Sequence, residues 1–390
     1  MANEVAKLSF WGVRGSTPTV DRATWRYGGN TPCLELITPD GRRLILDCGT
    51  GLRILGNRLA AAAPDKNPDK NIEAEILVTH YHWDHIQGIP FFAPLYSAQN
   101  KFHFYSFRSE FIGRDSLKRV FEAQMAHPYF PVNLQAMPAR RDFTDVSGGD
   151  CFYIGKTRVT TGWLNHPQGC LGYRIETPVG TIVYATDNEP GNVEYERNLR
   201  RLAEGADIFI NDAQYTPEQL ELHRGWGHSS WREGVRIAIA AGVRNLVLFH
   251  HDPDSSDKAI DGILRDARAE FENTWAAAEG MVMTLGEERT DVVIPAVRDG
   301  LRREAHFRAR VTGLRQDGRP FDQETVIRDL SLHGALIYLD HSPKLQSELQ
   351  VTIENPGNGD HADRALRGYV VRIEPGPEKD QVGVGIVFTE

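Results

Sequence analysis

Cysteine is scarce. The 390 residues hold four, at Cys33, Cys48, Cys151 and Cys170, and no pair has CxxC spacing. This argues against a disulfide framework and a thiolate zinc site, and leaves buried, reduced thiols as the expectation. Positive charge is also short. With 44 Lys and Arg against 53 Asp and Glu, the net charge is -9. That sign gives no electrostatic grip on long nucleic acid, so an RNA-processing role is disfavoured. No apolar run reaches the length of a membrane span, and Met1 to Lys7 lack a signal-peptide core; a cytoplasmic location without membrane contact is expected. Internal repeats are missing, which disfavours a solenoid. The remaining composition, 41% hydrophobic and 25% charged, is that of a soluble globular chain, of a length for two or three domains.

Histidine is where the chain is rich. His80-Tyr81-His82-Trp83-Asp84-His85 places four candidate ligands in six residues, directly after the apolar run Ile76-Leu77-Val78-Thr79. Protonated imidazoles this close repel, and a carboxylate among them gains nothing from burial unless a cation compensates it. A metal site reconciles them. The same arrangement recurs in Leu44-Ile45-Leu46 before Asp47, Ile182 to Ala185 before Asp187, and Leu246 to Phe249 before His250. Each reads as a buried strand whose C-terminal end delivers a side chain into one shared site. Helices are expected from Trp231 to Ala241, stopped by Gly242, and from about 258 to 279. In the second, Ile260, Ile263, Leu264, Ala267, Phe271 and Trp275 share a face ahead of Gly280.

His80 and His82, at i and i+2 beyond a strand, suit one metal, and the Asp84-His85 pair suits a second. His166, just ahead of a strand expected from Gly172 to Glu176, joins Asp187 and His250 in the candidate set. The two oxygens of Asp187 can bridge two cations. Five imidazoles and two carboxylates favour zinc, with manganese or iron as alternatives. His251 competes with His250, which is preferred because it immediately follows the apolar run. Asp47 is read as the partner of a ligand imidazole's second nitrogen. Capping of the turn at Gly49-Thr50-Gly51 is the other reading.

The order His80-Tyr81-His82-Trp83-Asp84-His85, then His166, Asp187 and His250, resembles the metallo-β-lactamase superfamily. Within it the chain is similar to the ribonuclease Z-like phosphodiesterase branch. The resemblance spans roughly residues 5–290, including Trp11-Gly12-Val13-Arg14-Gly15-Ser16 and Tyr27-Gly28-Gly29-Asn30-Thr31. It implies an αββα sandwich with two metals at one edge, in an α+β chain. By the resemblance the first metal takes His80, His82 and His166, and the second takes Asp84, His85 and His250, with Asp187 between them. It makes Asp84 and His228 the candidate catalytic residues. His228, in Gly227-His228-Ser229-Ser230, would assist the leaving oxygen; a helix-capping neighbour without chemical duty is the alternative. The family's His-Glu-Ala-Thr motif corresponds here to Asn211-Asp212-Ala213-Gln214, and the basic arm of transfer-RNA enzymes has no counterpart. Residues 93–150 carry Phe102, Phe104, Tyr105, Phe107, Phe111, Tyr129 and Phe130 instead. They read either as a roof over a small-substrate pocket or as a packed cap.

The texture changes near residue 295. The stretch Ile294 to Gly300 has linker character, and arginines follow at Arg302, Arg303, Arg308 and Arg310. Beyond them the runs are strand-like, as in Tyr369 to Ile373 and the alternation of Val382, Val384, Ile386 and Phe388, with turn-rich segments such as Glu354 to Gly359 between. The expected division is a hydrolase domain over 1–295 and a small all-β domain over 296–390. Asp329-Leu330-Ser331-Leu332-His333-Gly334, coupled to the arginines, resembles the PilZ domain, a bacterial receptor for cyclic di-GMP built as a six-stranded β-barrel. The resemblance implies cyclic di-GMP as a regulatory ligand of Arg302, Arg303, Arg308, Asp329, Ser331 and Gly334, since guanidinium forks bind phosphates and guanine edges in pairs of hydrogen bonds. The family's two arginines have three residues between them. Here Arg303 and Arg308 have four, while Arg298 and Arg302 have three but stand earlier. A barrel that only packs or recruits partners is the other reading.

The expectation is a hydrolase with two divalent metals, most concretely a phosphodiesterase for a nucleotide-type or other small phosphodiester, regulated by cyclic di-GMP. A homodimer is compatible with the sequence. A lactone or thioester hydrolase on the same metals, or a cyclic di-GMP-responsive adaptor with little catalysis, are the alternatives.

Overall fold

The computed structural model describes residues 5–62, 71–286, 290–293, 303–331, 334–344, 347–353, 364–376 and 381–388. The chain forms two compact units, Met1–Pro295 and Ala296–Glu390. No helix among the described residues is long and apolar enough to cross a membrane.

In the first unit the apolar runs are strands buried on both faces. In Arg43–Leu46, Leu44 and Leu46 enter one core cluster and Ile45 another. In Leu246–Phe249, Val247 and Phe249 enter the same central cluster while Leu246 and Leu248 face a third. The period of two thus divides each strand between two cores, the pattern of a sheet covered on both sides. One sheet has eight strands in the order Thr290–Val293, Val282–Leu285, Ala6–Gly12, Cys33–Ile37, Arg43–Leu46, Glu73–Leu77, Lys101–Phe107, Arg140–Val146. The other has seven, in the order Thr274–Ala276, Leu246–Phe249, Ile208–Asp212, Gly180–Ala185, Cys170–Thr177, Thr157–Leu164, Cys151–Ile154. The central core lies between the sheets. Helices Gly51–Ala62 and Ser116–Gln124 cover the first sheet through Leu52, Leu55, Leu117 and Phe121. Helices Val193–Ala203, Trp231–Ala241 and Asp257–Glu270 cover the second through Leu199, Val235 and Ile263. The layers are therefore αββα.

Arg43–Leu46 and Glu73–Leu77 run parallel, as do Gly180–Ala185, Ile208–Asp212 and Leu246–Phe249. Parallel strands bring their carboxyl ends to a common edge, where open α/β sheets build sites. Three residues just past those ends have left-handed backbones without being glycine: Asp47 at φ 59°, Asp187 at φ 51° and His250 at φ 60°. Such a conformation costs roughly 1–3 kcal/mol per residue and clusters where function demands a particular side-chain direction.

The helix from Trp231 to Ala241 is as expected, with Ser230 accepting from Glu233 N and Gly242 ending it at φ 64°. The helix expected to reach 279 stops at Glu270. Thr274 closes the turn, its carbonyl accepting from Arg268 Nε at 2.7 Å and its hydroxyl donating to Phe271 O at 2.6 Å. Trp275 then pairs with Val247 in a parallel strand. The helical spacing of Phe271 and Trp275 was coincidental. The reading of residues 93–150 also divides. Phe102, Phe104, Tyr105 and Phe107 form an inner strand and are buried, whereas Phe111 and Tyr129 are 79% and 77% exposed.

The second unit is a closed barrel in the order Arg303–Leu314, Pro320–Ser331, Gly334–Leu339, Val382–Phe388, Arg364–Pro375, Glu348–Ile353. Its core includes Val311, Ile327, Ile337, Val351, Val370, Val384 and Ile386. The linker stretch Ile294 to Gly300 and the turn Glu354 to Gly359 lie outside the described residues.

Candidate metal centre

Strand Glu73–Leu77 releases the segment that carries the histidine cluster, and Trp83–Ile86 is a single helical turn. His80 has its Nδ1 on Thr79 Oγ1 at 3.0 Å. Its Nε2 is buried with no hydrogen-bond partner, 3.6 Å from Asp187 Oδ2. His166 donates Nδ1–H to the Gly227 carbonyl at 2.9 Å and directs Nε2 at Nδ1 of His82, 3.1 Å away. His82 turns its other nitrogen to Gln168 Oε1 at 3.3 Å. Burial, reinforced by His85, holds His80 well below the ordinary imidazole value. Burial likewise lowers His166 to about 4. Three imidazoles thus present ring nitrogens to one point, and His80 and His166 are held neutral there.

The second group is richer in carboxylate. His85 Nε2 is 3.2 Å from Asp84 Oδ2, 3.4 Å from Asp187 Oδ1 and 3.3 Å from His250 Nε2. His250 Nε2 is 3.1 Å from Asp84 Oδ2, and Ser16 N donates to that same oxygen at 2.8 Å. Burial alone would lower the His85 pKa; Asp84, Asp187 and Asp47 outweigh it and hold the ring well above its ordinary value. Burial is likewise outweighed at Asp187, where His250, His85 and His80 hold the carboxyl well below its usual range.

The structure therefore brings His80, His82 and His166 into one group, Asp84, His85 and His250 into a second, and places Asp187 against both His80 and His85. The partnerless His80 nitrogen and the facing His82 and His166 nitrogens fit a divalent cation. The mixed N and O donors around Asp187 fit another. His251 turns away, with Nε2 on Ala277 O at 2.9 Å.

Asp47 braces the site. Its carboxylate accepts from His85 Nδ1 at 2.8 Å, Tyr184 OH at 2.7 Å, and Thr79 N and Oγ1 at 2.8 and 3.0 Å. None of these partners belongs to the turn at Gly49 to Gly51. His228, in the segment before helix Trp231–Ala241, donates Nδ1–H to Asp212 Oδ2 at 2.9 Å and lies 3.7 Å from Asp187 Oδ2. Burial lowers its pKa, but Asp212 reverses this and raises it to about 9. Its Nε2 has no protein partner among the described residues.

From the sequence, Asp212 and Gln214 are only counterparts of a family motif with no role assigned, and Glu189 is passed over. Asp212 ends Ile208–Asp212 in the same strand-end pattern as Asp47 and Asp187. Gln214 Oε1 accepts from His250 Nδ1 at 2.9 Å. Glu189 accepts from Gly225 N at 2.9 Å and from Gly227 N at 2.8 Å, pinning the segment that carries both the His166 partner and His228. At Gly227, with φ +87°, an added Cβ would fall 2.1 Å from His166 Nδ1.

In the barrel, Arg302, Arg298, Leu332 and His333 lie outside the described residues. The backbone register places Arg303 opposite Leu330, Glu304 opposite Asp329, and Ser331 opposite Gly334. Arg303 thus shares one end of the barrel hairpins with Asp329, Ser331 and Gly334. Arg308, exposed, lies opposite Val326, farther along the strand.

These layers and this donor set are those of a metal-dependent hydrolase with the metallo-β-lactamase fold. The beta-lactamase superfamily domain matches residues 42–251, and the PilZ domain matches residues 296–390. The chain belongs to the beta-lactamase superfamily, in its ribonuclease Z-like branch, and carries a C-terminal PilZ domain. It is 33% identical over 328 residues to ribonuclease Z of Brevibacillus brevis, covering 73% of this chain and 98% of that one. It is 23% identical over 325 residues to ribonuclease Z of an Exiguobacterium species, covering 72% and 100%. Among solved structures, the metallo-beta-lactamase fold protein YhfI of Bacillus subtilis is similar, with a TM-score of 0.53 and 19% identity over 72% of this chain and 99% of that one.

Proposed function

We propose that this chain is a dinuclear phosphodiesterase acting on a small phosphodiester, with cyclic di-GMP as the regulatory ligand of its barrel. The observation that carries the reading is the pairing of two ligand groups with an adjacent His228–Asp212 dyad. Two divalent cations, zinc for preference, would supply Lewis acidity toward a phosphoryl oxygen and a water of lowered pKa. His80, His82 and His166 would hold one; Asp84, His85 and His250 would hold the other; Asp187 would lie between. The chain's own part is to orient and to move a proton. Asp47, Gln214 and the Gly227 carbonyl occupy the outer nitrogens of His85, His250 and His166, so each ring presents its inner nitrogen. His228 keeps a proton at neutral pH, because Asp212 holds its Nδ1, and offers Nε2–H to the departing oxygen. The net charge of -9 favours a small substrate over a long polyanion.

The test is hydrolysis of bis-p-nitrophenyl phosphate by the zinc-loaded full chain. Turnover is expected, and its complete absence with zinc, manganese and iron alike would overturn the reading. For the barrel, titration calorimetry with cyclic di-GMP should give saturable binding that Arg303→Ala abolishes.

A further inference from the structure

Beside His80 and His82 a cavity of about 190 Å³ opens, with Phe107, Phe111, Ile112, Pro167 and Gln168 among its walls. Tyr81 and Ser109 also line it, and no Lys, Arg, Asp or Glu is among the described residues of its lining. Its volume is below the roughly 300–1,000 Å³ of pockets that enclose a whole organic ligand. It has room for one ring system beside the metal ligands.

Phe111 is the informative wall. It is 79% exposed, yet its backbone is held rather than free. Phe111 N donates to Ser109 Oγ at 3.2 Å, Gly113 N to Ser109 O at 2.8 Å, and Ser109 N to Ser116 Oγ at 2.9 Å. Ser109 and Ser116 are both buried. An aromatic ring presented to solvent on a fixed turn, at the mouth of a cavity beside metal ligands, is a surface without a partner. The floor is aromatic as well: Phe107 stacks on Tyr81 at 4.8 Å, and Gly169, at φ +93°, lets the chain pass the Phe107 ring where a Cβ would already be at 3.4 Å.

We infer that this cavity is a specificity subsite for a flat, uncharged group of the substrate, an aryl ester or a nucleobase, stacked on Phe111. The inference rests on the phosphodiesterase reading for the phosphoryl group it adjoins. A second phosphate is disfavoured there, since no cationic side chain meets it in the cavity; a flat neutral ring finds apolar walls plus the polar atoms of Ser109 and Gln168.

The experiment compares phenyl phosphate with methyl phosphate, by titration calorimetry on the zinc-loaded full chain, so that the readout does not depend on turnover. Phenyl phosphate should bind at least tenfold more tightly, the gain expected of one aromatic stacking contact. Phe111→Ala should erase that gap and leave the methyl phosphate affinity unchanged, whereas Phe111→Trp should keep the gap. Equal affinities in the unaltered chain, or a gap indifferent to Phe111→Ala in a variant of unchanged circular dichroism, would overturn the subsite. Failure to hydrolyse bis-p-nitrophenyl phosphate strikes the reading of the site as a whole, a separate outcome from either.

Discussion

Nε2 of His166 stands 3.1 Å from Nδ1 of His82, and the His166 nitrogen has no proton to offer. His166 has committed its N–H to the Gly227 carbonyl, His82 has turned its own toward Gln168, and burial keeps His166 neutral. His80 adds a third nitrogen, buried and partnerless, and its ring centroid is 4.6 Å from each of the other two. An unsatisfied buried polar atom such as His80 Nε2 costs about 1–3 kcal/mol. A cation turns that penalty into a ligand bond, which is why this corner of the molecule carries the functional reading.

Asp47→Asn separates positioning from packing. Asparagine tolerates the φ of 59° at this position, so the backbone survives. The variant loses one carboxylate oxygen and its charge, which weakens the hold on His85 Nδ1. Zinc affinity should fall by about 10- to 100-fold while circular dichroism is unchanged. Competition with a chromogenic chelator measures it.

His228→Ala should lower kcat for bis-p-nitrophenyl phosphate by about 10²- to 10⁴-fold, with little change in KM and none in zinc content, as expected for a proton donor. Asp212→Asn should act in the same direction and more mildly. It removes the charge that raises His228 to about 9, so the alkaline limb of the kcat profile moves to lower pH.

Gly227→Ala tests the close approach to His166. The added Cβ would fall 2.1 Å from Nδ1 of that ring, on a backbone with φ +87°. Either effect displaces the His166 ring from the position in which its Nε2 faces His82. Metal analysis should show one of the two equivalents lost, and activity should fall at least a hundredfold.

His251 sets a pH dependence of stability. Burial, then Arg14, lowers its pKa to about 3. The folded chain therefore keeps it neutral while the unfolded chain protonates it near pH 6.5. Its contribution is intact above pH 6.5 and is lost as pH falls from 6.5 toward 3, at about 1.4 kcal/mol per pH unit once the unfolded form is protonated. Urea melts between pH 7 and 5 should show the decline. His251→Gln should flatten it by about one proton.

Where the sequence was legible, the reason is physical. Strands buried on both faces leave continuous apolar runs, and parallel strands place their ends at one edge. Asp47, His80, Asp187 and His250 therefore share one recognisable position, just past the end of an apolar run. Helix Trp231–Ala241 was legible through its Ser cap and terminal glycine. Other features were not. Trp275 continued a helical spacing although Thr274 had already turned the chain into a strand. Phe102 and Phe104 read as part of a roof or cap because aromatic richness does not distinguish either from an inner strand. Gln214, Glu189 and Gly227 act through contacts between segments distant in sequence; motif position pointed to Gln214 and Gly227 without their partners, and no local pattern marks Glu189.

The most direct measurement is metal content of the purified full chain, titrated against phosphodiesterase activity. The account predicts two divalent equivalents per chain, activity that rises with occupancy and vanishes with chelation, and loss of both metal and turnover in Asp187→Ala. A folded chain that turns over substrate fully with no bound metal would contradict it.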